Sequence, residues 1–195
     1  MNRLSTTRQH GFSLLELMIT ITVAAILLVI AVPSFRDVIH RNQVSSTSNA
    51  LLASLAYART EAITRGQLVS MCPSSTGDSC TPGGQAFDPG WIVYTYPAGT
   101  ASANKAYDES SILLRAIPAQ PGISVQYLGN TVITFGQQGQ LNPNGSTLKF
   151  VACHRDGTNG TGISTTAVPG NALGVNASGS VQTSTVGAGE SCSPT

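Results

Sequence analysis

Charge is scarce in this chain: Asp, Glu, Lys and Arg together make up 10% of 195 residues, and the net formal charge is +1. The shortage is sharpest beyond Gly66. There the basic residues are Lys105, Arg115, Lys149 and Arg155, against Asp78, Asp88, Asp108, Glu109, Asp156 and Glu190, so that 4 − 6 = −2. Affinity for a polyanion comes mainly from phosphate neutralisation, and no basic stripe is present to supply it. Catalytic patterns are missing too. No G-x-S-x-G, H-E-x-x-H or Walker sequence occurs, and the isolated His40 and His154 suggest no acid–base pair. Without a C-x-x-C pair, Cys153-His154 cannot complete a zinc set, because neighbouring side chains on a strand face opposite ways. No enzymatic activity, cofactor or metal is expected.

What the chain does have is one apolar run, Phe12 to Val32, about 31 Å long as a helix and so matched to the hydrocarbon thickness of a bilayer. A cleavable secretory signal carries a shorter apolar region with a small-residue cleavage site after it, and this segment has neither. Its polar leader lies in front instead, Met1 to Gly11 with Arg3, Arg8 and His10. Four residues into the run stands Glu16. A carboxylate there costs on the order of 2.5 kcal/mol or more near a membrane centre, so it is expected to have a partner and a function.

The sequence Gly11-Phe12-Ser13-Leu14-Leu15-Glu16 behind a short basic leader resembles the class III signal of type IV prepilins and pseudopilins. The resemblance implies cleavage after Gly11 by a prepilin peptidase, N-methylation of Phe12, and pairing of the Glu16 carboxylate with the new Phe12 amine within a subunit or between neighbours in a stack. Glu16 is then an assembly residue. Pro33 removes a backbone hydrogen bond and bends the helix axis. Beyond it, Leu51, Leu52, Leu55, Ala58, Ala62 and Ile63 recur at helical spacing, and Gly66 is a stop. The helix is expected from Phe12 to about Arg65.

After Gly66, short β-type runs at 68–71, 91–96, 112–114, 123–127, 132–135 and 148–151 alternate with turn signals such as Asp88-Pro89-Gly90 and Asn142-Pro143-Asn144-Gly145. Two weak strands are expected near 172–175 and 180–185. The fold class is α+β, a long amino-terminal helix packed on one or two antiparallel sheets. The expected divisions are leader 1–11, membrane-spanning or filament-core helix 12–33, amphipathic helix 34–65, and a β-rich head 66–195 with a Gly/Ser/Thr-rich tail. Trp91, Tyr94 and Tyr96 alternate along one strand, two expected in the core and the rest on a half-exposed face. Asp156-Gly157-Thr158-Asn159-Gly160 lacks the terminal Glu of a calcium loop and reads as a turn. The sequons at Asn144, Asn159 and Asn176 fit Gly/Ser/Asn-rich loops.

Ala58-Arg59-Thr60-Glu61-Ala62, the strand ending in Cys72, Gly90-Trp91-Ile92-Val93-Tyr94 and Ile133-Thr134-Phe135 with Gly139 resemble the FimT/FimU/GspH family of minor pilins and pseudopilins. That resemblance implies a type IV pilin fold and a subunit that primes or joins a type IV pilus near its tip. Its alternatives are a type II secretion pseudopilin or a DNA-capturing pilin. DNA-binding members carry Gly-Arg-x-Arg near the carboxyl end; this chain has Gly179-Ser180-Val181-Gln182, which disfavours DNA as a partner, although Arg155 with Lys149 offers a small local patch. The implied partners are a prepilin peptidase, other minor pilins, the major pilin, the inner membrane and a tip adhesin.

All four cysteines, Cys72, Cys80, Cys153 and Cys192, follow the apolar helix, as disulfides of an extracytoplasmic head would. Three pairings exist, and proximity favours Cys72–Cys80 with Cys153–Cys192. Arg3 and Arg8 before the run balance Arg36 and Arg41 after it, so charge leaves orientation undecided. The leader and the cysteines place the amino end in the cytoplasm and the head in the periplasm.

Overall fold

A computed structural model describes residues 12–83, 86–100, 102–129, 131–143, 147–157 and 160–194. One helix, α1 (Leu14–Arg65), is followed by nine strands: β1 (Val69–Pro73), β2 (Gly90–Thr95), β3 (Ile112–Pro118), β4 (Ile123–Leu128), β5 (Ile133–Phe135), β6 (Leu141–Asn142), β7 (Leu148–His154), β8 (Asn171–Val175) and β9 (Val181–Thr185). The chain forms two compact units, divided between Val38 and Ile39.

In the first unit the helix begins at Leu14 because Ser13 caps it: the Glu16 amide donates to Ser13 Oγ at 3.2 Å and the Leu17 amide to the Ser13 carbonyl at 3.1 Å. The hydroxyls inside the apolar run are satisfied by the helix itself, Thr20 Oγ1 on the Leu17 carbonyl and Thr22 Oγ1 on that of Met18, both at 2.8 Å. Two threonines can therefore sit in an apolar medium without unpaired hydroxyls. The segment is long and apolar enough to cross a membrane, and its side chains are exposed. Pro33 does not end α1.

In the second unit β3-β2-β1-β5-β6 form one antiparallel sheet and β4-β7-β8-β9 another. A single core joins them to the helix. Val44, Leu51, Leu55, Ala58 and Ala62 pack with Met71, Trp91, Val93 and Phe135 of the first sheet and with Val125, Phe150, Leu173 and Val175 of the second. The helical stripe starts at Val44, about two turns earlier than apolar spacing suggests. Ser48 and Ser54 belong to it, each hydroxyl returning its hydrogen bond to the carbonyl four residues back at 2.8 and 2.9 Å, whereas Ile63 is 51% exposed. Small hydroxyl residues thus let the helix approach the sheets, and Arg41 Nη2 on the Ala167 carbonyl at 2.6 Å and Asn171 Nδ2 on Ser48 Oγ at 3.2 Å tie it down.

The expectation that one of the three strand aromatics stands half-exposed fails: Trp91, Tyr94 and Tyr96 are all at most 3% exposed. Trp91 faces the helix side, while Tyr94 and Tyr96 face away, where Cys80, Ala103 and Tyr107 cover them. Both phenols donate to the Lys105 carbonyl, Tyr96 at 2.7 Å, and Ser70 Oγ bridges Tyr96 to Thr134 at 2.8 and 2.7 Å. A loop without regular structure therefore supplies a second core layer, which periodicity along β2 alone does not reveal. Burial, then the neighbouring Tyr96, pushes the Tyr94 phenol above its ordinary pKa.

Two glycines meet where β5–β6 and β8–β9 approach α1. Gly179 has φ +78°, and a Cβ built there lies 2.0 Å from the Gly139 carbonyl oxygen, which itself accepts from Arg59 Nε at 3.1 Å. Gly179→Ala should lose roughly 3 kcal/mol, about 1–2 from the left-handed backbone and the rest from a contact with unyielding main chain. Gly157→Ala, at φ +84° but with open space around it, should lose only the first part. Urea denaturation followed through the single tryptophan, buried Trp91, measures both.

Candidate functional site

The residues expected to act at the amino end are separated from those of the head. Gly11 lies outside the described residues. Phe12 is 80% exposed just before the capped turn, and Glu16, also exposed, stands in the first turn of α1. Ser13 with Glu16 occupies N-cap and N3, the spacing of a capping box, so the same glutamate marks the helix start and carries the charge. Among the described residues Glu16 makes no ion pair. An acidic group in the first turn also complements the helix dipole. Chemically this end can offer one carboxylate, on an otherwise apolar helix, to a cation from outside the described residues.

In the head, the sulfurs of Cys72 and Cys80 are joined, as are those of Cys153 and Cys192, with Cα atoms 5.6 and 6.1 Å apart. The first pair anchors the covering loop: the Tyr107 amide donates to Cys80 Sγ at 3.3 Å. The second ties the carboxyl-terminal segment to β7. That segment is further held by the Val186 amide on the Gly170 carbonyl at 2.8 Å and by Gly189 on Ser164 at 2.7 Å.

The two cations suggested as a local patch do not form one. Lys149 and Arg155 are six residues apart along β7 and its continuation, about 20 Å in extended chain. Arg155 is moreover committed: its Nη1 lies 2.6 Å from Asp88 Oδ2 and 3.2 Å from the Gly160 carbonyl. Asp88 in turn accepts from the Val125 amide at 2.5 Å and from Gln126 Nε2 at 3.3 Å. This cluster precedes β2 and fastens it to β4 and β7, so it joins the two sheets. A phosphate would have to compete with a largely buried ion pair.

His40 and His154 are brought together, with ring centroids 3.7 Å apart in an edge-to-face arrangement. A spacing of 114 residues hides that contact. Among the described residues no group of three or more His, Cys, Asp or Glu is arranged to hold a metal. Thr158 and Asn159 of the suggested calcium loop lie outside those residues.

A family model described as type II transport protein GspH matches residues 47–179, and one described as prokaryotic N-terminal methylation motif matches residues 6–32. The fold is that of the Pseudomonas aeruginosa type IV minor pilin FimU: its crystal structure in space group P65 has a TM-score of 0.50 at 20% identity, covering 76% of this chain and 98% of that one. The same protein in space group P21 matches with a TM-score of 0.49, also at 20% identity, over 78% and 96% of the two chains. The match over 47–179, more than half of the chain and preceded by a methylation motif that contains Gly11, Phe12 and Glu16, shows that the chain belongs to the GspH family.

Proposed function

We propose that the protein is a minor subunit of a type IV pilus, a structural rather than catalytic component. In this reading it is held in the inner membrane by one pass of 12–33, its head lies in the periplasm, and it enters the filament near the tip to prime or join assembly. The leader 1–11 is removed by a prepilin peptidase after Gly11, and Phe12 is N-methylated. Residues 34–65 then carry the head 66–195, whose faces choose neighbouring minor pilins, the major pilin or a tip adhesin. One observation carries the reading: a lone carboxylate, Glu16, in a membrane-length apolar run, four residues after Phe12 of a Gly-Phe junction inside a methylation motif.

A second reading, a pseudopilin of a type II secretion system, is favoured by the family's description. It shares the processing, the anchor and the assembly residues and differs in the filament joined. DNA capture has less support, since Arg155 is tied to Asp88 and Ser180 and Gln182 stand where the DNA-binding relatives place arginines.

Filaments sheared from cells and immunoblotted for this chain test the assignment. Its presence at a small fraction of the major subunit, with surface filaments lost when the gene is deleted, is the expected result. Intact piliation together with a block in protein secretion would replace the pilus by the secretion system.

A further inference from the structure

His154 ends β7 and presents its imidazole to His40 of α1, the ring centroids 3.7 Å apart and the planes at 77°. Both ring nitrogens of His154, Nδ1 and Nε2, are buried and lack a hydrogen-bond partner among the described residues. A neutral imidazole leaves one N–H donor unpaired there, whereas an imidazolium leaves two and adds a charge, at a much larger cost. Burial, then the neighbouring His40, lowers the affinity of His154 for a proton, and Asp156 opposes this in part.

The other charges near the pair are occupied or few. On α1, Arg41 follows His40 and is bonded to the Ala167 carbonyl. Asp37 precedes His40 by one turn. On the β7 side Arg155 is paired with Asp88, which leaves Asp156. From β4 the register partner of His154 is Ile123, and Gly122 lies beside its Cε1. The segment 160–170 that wraps the end of β7 contains no charged residue. In the carboxyl-terminal segment the Glu190 carboxylate accepts from the Gly187 amide at 3.1 Å.

We infer that the His40–His154 contact is a proton-operated latch, which holds the first turns of the second unit's helix on the end of β7 while the His154 ring is neutral and lets go when that ring takes up a proton. A protonated His154 would bring a charge and two N–H donors to a place where neither ring nitrogen has a partner, against the face of a second ring. The unfolded chain binds protons at ordinary histidine affinity, so the folded state loses stability as pH falls below about 6.5. The loss is local to the latch, where Arg41 on Ala167 becomes the nearest remaining tie.

The full-length protein in detergent micelles, with isotope-labelled histidine assigned by single substitution, provides the test. His154 should titrate below the ordinary histidine range in the intact protein and move back toward it in His40→Gln. Between pH 7.5 and 5.0, hydrogen-exchange protection of amides 41–48, corrected for intrinsic rate, should fall about tenfold. His154→Phe, which keeps a ring at the contact, and His40→Gln should each hold that change under about twofold. An ordinary titration of His154 in the intact protein, or the same acid-induced loss of protection in both variants, would overturn the latch. Neither outcome depends on which filament the protein joins.

Discussion

Glu16→Ala is expected to leave membrane insertion and leader removal intact while lowering incorporation into filaments by about two orders of magnitude. Insertion depends on the apolar run, which the change makes more apolar. The amino-terminal turn depends on Ser13 Oγ and the Glu16 amide, which the change does not touch. Lost instead is a carboxylate that, in a water-poor filament core, would face the amine freed at Phe12. Removing one partner of a buried pair costs about 3–5 kcal/mol because the remaining charge stays behind unpaired, and about 1.4 kcal/mol is a factor of ten in an equilibrium. Glu16→Gln keeps the size and a hydrogen-bonding group, so it should fall between the two. The quantity measured is the ratio of filament-associated to membrane-associated protein. Equal ratios for Ala and wild type would remove Glu16 from assembly.

Replacing Cys153 and Cys192 by serine should cost the head about 4 kcal/mol. The bond closes a loop with sequence separation 39, and in the chain-entropy model a loop of that length restricts the unfolded chain by about that much. It also fastens the last segment to β7, where Cys153 and Cys192 pack with Val151 and Ala172 in a small cluster of their own. Replacing Cys72 and Cys80, with separation 8, should cost about 2.5 kcal/mol by the same model. Its further effect is local, loosening the loop that covers Tyr94 and Tyr96. Urea midpoints read through Trp91 rank the two, and limited proteolysis should cut the first variant near its carboxyl end. A smaller loss for the 153–192 pair than for the 72–80 pair would show that the tail is held by its backbone bonds to Gly170 and Ser164 instead.

The elements legible in the sequence were those whose signal is local. The apolar run with Glu16 declares itself, and strands such as Trp91–Tyr96 and Ile123–Tyr127 emerge within a residue or two of β2 and β4. Other features depend on chain that is far away in sequence. β6 is two residues long and exists because the Gly136–Gln140 turn folds Leu141 back onto Phe135. The burial of Tyr94 and Tyr96 is made by a loop at 103–107, and the helix stripe includes Ser48 and Ser54 because an intrahelical hydrogen bond hides their polarity. For the candidate site the division is similar. Glu16 and the Gly11–Phe12 junction can be named from their neighbours. The commitment of Arg155 to Asp88, across 67 residues, and the meeting of His40 with His154 follow from how two sheets and a helix close on one core.

The account rests on maturation at the amino end, and mass spectrometry of the protein taken from cell envelopes tests that most directly. It predicts an amino-terminal peptide that begins at Phe12 and carries one methyl group on its nitrogen. A peptide that still begins at Met1, with no methylated phenylalanine, would contradict it and reduce the molecule to an anchored extracytoplasmic head.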